Sequence, residues 1–434
     1  MNTAAQIKIF NQLAGAVLFD EAKGLGFVEF EPSFLQKGLD IAPLKMPIAK
    51  ARQTIFSFPE LAQNSTFKGM PGLLADVLPD KYGNALINTW LAKNGRPTGS
   101  LNPVETLCFI GKRGMGALEF LPVTPKTPNN STVLHIDMLV QIAQHILADR
   151  QHFNESLGVH YEKALSEILK IGTSAGGARA KAIIAYNPLT KEVKSGQTNA
   201  PEGFSHWLIK FDGVTDAQFG ASAGYGRVEM AYYKMALDAG IDMMPSMLLE
   251  ENDRAHFMTR RFDRPTANTK LHVQTFCAMQ HYDFNEVGMY SYEQLFETMR
   301  TLQLPYPQQE QLFRRMVFNA IARNCDDHTK NVAFVMNQQG EWALSPAYDI
   351  CHAYRPGSAW VSQQSMSING KRDGFTNHDF LTVAQNMNIK KAPAIIQQIT
   401  NVVQQWNDYA DEQKVPATLR DAIKSSLLYK CLLF

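Results

Sequence analysis

The sequence carries almost no net charge: 42 Lys and Arg stand against 41 Asp and Glu. The chain as a whole therefore has no electrostatic pull toward nucleic acid or an anionic membrane, and any DNA contact would need a local patch or a partner. It also lacks an apolar run of about 18 residues, the length needed to span a bilayer. The first residues, MNTAAQIKIFNQLAG, show no basic region followed by an apolar core and a small-residue cleavage site. The expectation is a cytoplasmic chain that is neither exported nor anchored, with no membrane partner. Cysteine is scarce and scattered: the five residues Cys108, Cys277, Cys325, Cys351 and Cys431 form no CxxC or Cys/His pair at zinc spacing and read as reduced thiols. No internal repeat or low-complexity tract is visible. What is present is ample apolar material, 45% hydrophobic against 19% charged over 434 residues. That suffices for real cores and, by the usual domain sizes, for about two or three packed units.

From Gln6 to Phe30 the pattern IKIF, AVLF, GFVEF is short, partly alternating and punctuated by Gly15, Gly24 and Gly26, which predicts an antiparallel meander. Helical spacing follows over Gly72–Asn94 and Pro103–Ile110, then GKRGMGALEFLPV returns to strand. The Pro-, Asn- and Thr-rich segment Thr124–Thr132 is the best linker. Beyond it come helices, a glycine-rich turn, the strand AIIAY, a polar hairpin, the strand HWLIKF, a helix from about Arg227 to Ala239, two strands near MLLEE and HFMTRRF, and mostly helical sequence to the end. Glycine turn, strand, strand with lysine, helix with glutamate, two strands and then helices is the order of a kinase small lobe followed by its large lobe. The predicted architecture is α+β: a two-lobed protein-kinase-like fold with a small strand-rich N-terminal subdomain (1–124), an ATP-binding small lobe (125–264) and a helical catalytic lobe (265–434).

The chemistry concentrates in Asn324-Cys-Asp-Asp-His-Thr-Lys-Asn331, the strand VAFVM, a turn at Gln338–Gly340 and WALSPAYDI with Asp349. Phosphoryl transfer needs a carboxylate to orient the attacking hydroxyl and oxygen ligands for the metal that neutralises the phosphates. Asp326 suits the first task; Asn331, five positions on, and Asp349, after a short hairpin, suit the second. Tyr348-Asp349-Ile350 stands where Asp-Phe-Gly is usual. A bland alternative is a helix end with a polar turn, but turn chemistry does not require a second carboxylate after a hairpin. His328 either contacts nucleotide or braces the loop. The glycine run Gly172–Lys181 is no Walker A sequence, though its amides could approach phosphate closely. Lys210 ends a strand and Glu229 lies on the next predicted helix, the pairing that brings a lysine to phosphate in kinases; both could equally be solvated surface charges. Arg260-Arg261-Phe262 could receive adenine, or the arginines could pair with neighbouring acids.

Taken together these segments resemble the HipA family, toxin kinases of bacterial toxin-antitoxin pairs. The resemblance covers nearly the whole chain and rests on FKGMPGLLADVLPDKYG, TSAGGARAK, HWLIK, TRRFDR, NCDDHTKN, SPAYDI and SINGKRDGF. It implies that Asp326 is the catalytic aspartate, that Asn331 and Asp349 hold Mg2+, and that Lys210, with Glu229, serves the nucleotide. It places ATP against Gly176, Gly177, Ala178, Arg179, Ala180 and Lys181, against Arg260, Arg261 and Phe262, and against His328, Lys330, Asn331 and Tyr348. Ser174 matches an autophosphorylated serine whose modification would switch the protein off. Arg260 stands where the best-known form has an acidic residue, so adenine contacts there would use backbone groups. Gly177 and Arg179 also depart from the VAGAQEK type of loop. The family further implies a helix-turn-helix antitoxin of the HipB type, operator DNA bound through that complex, and a protein substrate such as an aminoacyl-tRNA synthetase, glutamyl-tRNA synthetase in the best-known case. The rivals are a small-molecule kinase with a similar catalytic motif and a catalytically idle co-repressor.

Overall fold

A computed structural model describes residues 3–123, 132–147, 167–169, 171–172, 179–196, 200–216, 220–221, 224–266 and 269–429. The chain divides into two compact units, one of residues 1–226, 247–273 and 336–341, the other of 227–246, 274–335 and 342–434.

The first unit opens with the expected meander, β1 (Ala4–Ile9), β2 (Gln12–Asp20) and β3 (Leu25–Phe30), joined on the β1 side by β4 (Leu118–Leu121). Burial along β1 alternates strictly, with Ala5, Ile7 and Ile9 inward, the period of two that a half-buried strand requires. Gly15 sits opposite Phe30, where an added Cβ would lie 2.2 Å from the Glu29 carbonyl oxygen, so only glycine lets β2 and β3 close here. A second sheet contains β5 (Lys181–Tyr186), β6 (Val193–Ser195), β7 (Ser205–Lys210), β10 (Ser246–Glu251) and β11 (Arg254–Arg260), in the order β10-β11-β7-β5-β6. The pair β8 (Thr215–Asp216) and β9 (Gly220–Ala221) stands apart from it.

The predicted helical stretch Gly72–Asn94 is two pieces, Gly72–Ala75 and Lys81–Lys93. Pro79 cannot continue a hydrogen-bonded turn, and Asp80 restarts the helix by accepting from the Gly83 amide at 2.9 Å, as an N-cap should. The helix Pro103–Ile110 begins as expected, with an Asn102/Glu105 capping box and proline in the first turn. Tyr82 and Leu86 of the helix Lys81–Lys93 share one core with Leu139 and Ala143 of the helix Ile136–Leu147 and with Ala182, Ile184, Ile209 and Met258 of the second sheet. The helices Lys81–Lys93 and Ile136–Leu147 and the second sheet thus share one core.

The same unit holds a buried ion cluster. Asp263 accepts from Arg261 Nε and Nη2 at 2.8 and 2.6 Å and from Arg264 Nη1 at 2.6 Å, while the Gly116 amide donates to it at 2.7 Å. Four donated hydrogen bonds and two guanidinium charges outweigh burial and hold this carboxyl well below the usual carboxylate range.

The second unit is mainly helical. Its central helix, Tyr306–Ile321, is buried from Leu312 onward apart from Arg314. Tyr232 stands edge-on to Phe318 and Trp406, with ring centroids 6.2 and 5.4 Å apart, and its hydroxyl donates to the Ala322 carbonyl at 2.6 Å. The strands β12 (Ala333–Met336) and β13 (Trp342–Leu344) follow the predicted VAFVM and WAL segments.

Candidate active site

The central helix ends at Ile321, and the chain reverses at Arg323, whose φ of 56° is left-handed. That conformation is strained for a non-glycine residue, and it is held from three sides. Arg323 Nη1 donates to Asp373 at 2.8 Å, its Nε donates to the Ser426 carbonyl at 3.1 Å, and its guanidinium lies 4.3 Å from the Tyr354 ring centroid. The following residues pair with Ala353 through Cys325 N to Ala353 O, 3.1 Å, and Ala353 N to Arg323 O, 3.0 Å. The loop 324–331 is therefore set by backbone before any of its side chains is considered.

Asn331 Nδ2 donates to the Asp326 carbonyl at 2.7 Å, which closes the five-residue span and leaves the amide oxygen as the end able to face a cation. Asp349 has a φ of 56°, and its carbonyl accepts from Asn324 Nδ2 at 3.4 Å. Asn331 and Asp349 line one small cavity of about 10 Å³ together with Asn324, Asp327 and Tyr348. The Tyr348 hydroxyl donates to the Lys330 carbonyl at 2.7 Å, joining the two halves of the motif. His328 lies with Nε2 3.8 Å from Asp326 Oδ1 and its ring 5.1 Å from Phe284, while Lys330 Nζ is 4.7 Å from the same phenylalanine ring. Of the expected residues, Asp326, His328, Lys330, Asn331, Tyr348 and Asp349 are thus brought together within the second unit.

One carboxylate and one amide oxygen suit a hard cation such as Mg2+, which keeps several waters and takes phosphate oxygens rather than filling an all-protein cage. Among the described residues no three His, Cys, Asp or Glu side chains converge in a metal-binding cluster. Asn331 and Asp349 are the residues here that could share such an ion with a phosphorylated ligand.

The remaining expected residues fall elsewhere. Ser174, Gly176, Gly177 and Ala178 lie outside the described residues. In the first unit, Arg179 rests 4.6 Å from the Tyr225 ring centroid, and the Ala180 carbonyl accepts from the Phe211 amide at 3.0 Å. Lys181 on β5, which is buried, is directly opposite Lys210 on β7. Lys210 Nζ is 5.9 Å from the Phe257 ring. Glu229 belongs to the second unit, buried on the helix Tyr225–Asp238. Arg260 Nη2 donates to the Pro265 carbonyl at 3.2 Å, and Phe262 is half-buried. Arg261 takes the second of its two expected roles: it is buried and bonded to Asp263, so its guanidinium braces the turn after β11.

Several site residues were not singled out from the sequence. Asp327, fully buried, accepts from the Tyr292 hydroxyl (2.8 Å), Gln364 Nε2 (3.2 Å) and the Ser365 amide (2.7 Å). Asn319 Nδ2 donates to the Tyr292 oxygen at 3.0 Å, and Asn324 Nδ2 donates to Asn319 Oδ1 at 3.0 Å. A continuous chain of buried polar groups thus runs beneath the loop. Burial pushes the Asp327 carboxyl up to about 7, with the hydrogen bonds from Tyr292 and Ser365 opposing it. The signal available was the doubled acid itself: of two adjacent aspartates on a loop, one side chain turns outward and the other inward. Trp360 carried only the weak signal of a lone tryptophan in a Gly/Ser/Pro segment.

This arrangement defines a two-unit α+β protein, strand-rich at its N-terminal end and helical at its C-terminal end. The models for the HipA N-terminal domain and the HipA-like C-terminal domain match residues 5–121 and 173–406. The chain belongs to the HipA family. No curated protein matches the sequence. Among solved structures, the Shewanella oneidensis MR-1 toxin antitoxin system HipA, HipB and its operator DNA complex aligns over 98% of this chain and 96% of its own, with a TM-score of 0.69 at 17% identity. The Helicobacter pylori proinflammatory kinase CtkA aligns over 52% of this chain and 89% of its own, with a TM-score of 0.34 at 12% identity. Among the described residues no helix is long and apolar enough to cross a membrane.

Proposed function

We propose that this protein is an ATP- and Mg2+-dependent protein serine/threonine kinase acting as the toxin of a toxin-antitoxin pair. The observation that carries the reading is the coupling of Asp326 to Asn331 through a 2.7 Å hydrogen bond, with Asn331 and Asp349 on one cavity wall. The backbone that carries one carboxylate is thereby tied to Asn331, which lines a cavity with Asp349, and this supports the division of labour that phosphoryl transfer needs. The acceptor hydroxyl donates to Asp326, its oxygen bonds to the γ-phosphorus, and the bond to the bridging oxygen breaks with ADP leaving. Asn331 and Asp349 would hold the magnesium ion, which neutralises phosphate charge when bound. The opposed Lys181 and Lys210 serve the nucleotide phosphates. No covalent enzyme intermediate is needed; positioning and charge supply the rate.

The substrate is a protein hydroxyl, with an aminoacyl-tRNA synthetase such as glutamyl-tRNA synthetase as the first to try. A helix-turn-helix antitoxin of the HipB type and operator DNA are the partners, consistent with the assembly in which the Shewanella HipA was solved. Autophosphorylation of Ser174 would add about −1.5 to −2 charges beside the glycine turn and disfavour nucleotide there. The test is expression without antitoxin. The wild-type chain should arrest growth and transfer radiolabelled γ-phosphate to protein in extracts, and Asp326→Asn should do neither at equal abundance. Equal toxicity of the two would point to binding instead, and label found only on a small molecule would replace the protein-kinase reading.

A further inference from the structure

Asp326 is held by a residue 34 positions away in sequence. The indole N–H of Trp360 donates to Asp326 Oδ1 at 2.7 Å, a charge-assisted bond of the stronger kind. Oδ2 accepts no hydrogen bond from any described residue, and the carboxylate side chain is 31% exposed. One oxygen is therefore tied down, while the other is held by no hydrogen bond from the described residues.

The donor is itself immobilised. The Trp360 ring stands edge-on to Phe284 and His328, with centroids 6.1 and 6.2 Å away at interplanar angles of 81° and 71°. Its backbone is set in a tight turn, with the Trp360 and Val361 amides donating to Ser358 Oγ at 3.2 and 3.3 Å and Arg355 N donating to Val361 O at 3.1 Å. Four and five residues later the same segment delivers Gln364 and the Ser365 amide to Asp327. Consecutive aspartates are thus gripped by one stretch of chain, Asp326 at its exposed face and Asp327 from below. Such pre-set hydrogen bonding lowers the rearrangement needed at the moment of reaction.

We propose that Trp360 is the positioning residue of the transfer step: its indole N–H fixes Asp326 Oδ1, so that Oδ2 alone receives the acceptor hydroxyl. This rests on the kinase reading above. In the step itself the hydroxyl proton passes to Oδ2, the oxygen–phosphorus bond forms, the bond to the β-phosphate bridging oxygen breaks, and ADP leaves; Trp360 keeps its proton throughout. Without the N–H the carboxylate can rotate and present either oxygen, and the fraction of productive encounters falls. A replacement that keeps the bicyclic ring keeps its edge-on packing against His328, so the nucleotide side of the loop is left in place.

The discriminating replacement is benzothienylalanine at position 360, which keeps the shape of the bicyclic ring and puts sulfur in place of N–H; Trp360→Phe is the second variant. Transfer is read with radiolabelled ATP, Mg2+ and purified glutamyl-tRNA synthetase with its tRNA, and with the chain itself as acceptor. The expected result for both variants is a kcat reduced about 10- to 100-fold, the scale of a misplaced catalytic group. For the benzothienylalanine protein the KM for ATP should stay within about two-fold and the melting temperature should be unchanged. A benzothienylalanine protein with wild-type kcat overturns the proposal. So does a loss of kcat with a parallel rise in the KM for ATP and a lowered melting temperature, which would make Trp360 a packing residue. A raised kcat would make the contact a block rather than a guide and overturns it equally. Failure of the wild-type chain to transfer phosphate to any acceptor would remove the kinase reading and the proposal with it, an outcome separate from a variant that matches an active wild type.

Discussion

Asp327→Asn is the most informative single change beneath the loop, because it alters one group and leaves the volume nearly constant. Oδ2 accepts from Tyr292 and Gln364, and Oδ1 accepts from the Ser365 amide. An asparagine must turn its NH2 toward at least one of these donors, and the best orientation keeps Tyr292 and Gln364 while opposing the Ser365 N–H. Losing one strong hydrogen bond and stranding a buried donor destabilises by about 2–4 kcal/mol. The penalty should depend on pH. Burial raises the folded-state carboxyl from 3.8 to about 7, so between these values the folded state holds a proton that the unfolded chain has released. Stability from this group is therefore fully present below about pH 4 and is lost as pH rises through about 7. The span of the shift corresponds to at most about 4 kcal/mol, of which about 2–3 kcal/mol falls between about pH 5 and pH 8. Asparagine does not titrate, so the wild-type advantage should shrink by that amount over the same interval. Equilibrium urea unfolding of both proteins at the two pH values measures the difference directly and cancels the slopes contributed by every other group. A gap that stays constant with pH would refute the perturbed titration, and wild-type stability of the variant throughout would refute the buried network.

Other consequences follow from the same geometry. Asp263→Ala strands Arg261 and Arg264 in the first unit and should destabilise it by about 3–5 kcal/mol, seen as a lowered melting temperature or as insoluble protein; retained wild-type stability would count against the ion cluster. His272, bonded to the Ile41 carbonyl at 3.0 Å, and His352, bonded to Ser426 Oγ at 3.0 Å, are pushed down to about 4 chiefly by burial. Their contribution is present above about pH 6.5 and lost as pH falls toward 4, at most about 3 kcal/mol each, so replacing either by Gln should flatten the acid limb of stability against pH. Asp349→Asn should abolish transfer and weaken Mg2+-dependent ATP binding, whereas Asp326→Asn should abolish transfer with nucleotide binding largely kept, as isothermal titration would separate. Mass spectrometry of wild-type protein incubated with ATP and Mg2+ should find phosphate on Ser174, and Asp326→Asn purified alike should lack it; phosphate in the inactive variant would indicate another kinase.

The parts of this fold that could be read beforehand are those whose determinants are close in sequence. β1 to β3 announce themselves by alternation, and the helix Pro103–Ile110 by its Asn-Pro-x-Glu start. Asp326 and Asn331 declare themselves by a spacing that one hydrogen bond closes. The break between Gly72–Ala75 and Lys81–Lys93 carried an equally local sign, proline followed by an N-capping aspartate, but apolar spacing on either side masked it. What could not be read is burial decided by distant chain. In RRFDR nothing local says which arginine is enclosed, because the groups that enclose Arg261 and Arg264 include the Gly114 and Gly116 carbonyls, about 150 residues earlier. Counting back five from Asn331 picks Asp326 over Asp327, and the count is silent about its neighbour.

That silence has a physical source. Adjacent side chains on an extended loop point to opposite sides, so the single-residue step that leaves Asp326 half-buried encloses Asp327, and each acid needs a different kind of support. An exposed carboxylate that must receive a hydroxyl needs one oxygen held and one left open. A buried carboxylate needs every lone-pair direction met by a donor, since a partly satisfied charge in a low-dielectric interior is worse than none. Residues 360–365 meet both demands within six positions: a single N–H for Asp326, an amide and a carboxamide for Asp327. Shifting this stretch by one residue would misplace the tryptophan donor and the Ser365 amide together. The exposed and buried aspartates are therefore coupled through the segment that holds them, and a substitution that loosens Gln364 or Ser365 should reach Asp326 through the backbone they share with Trp360.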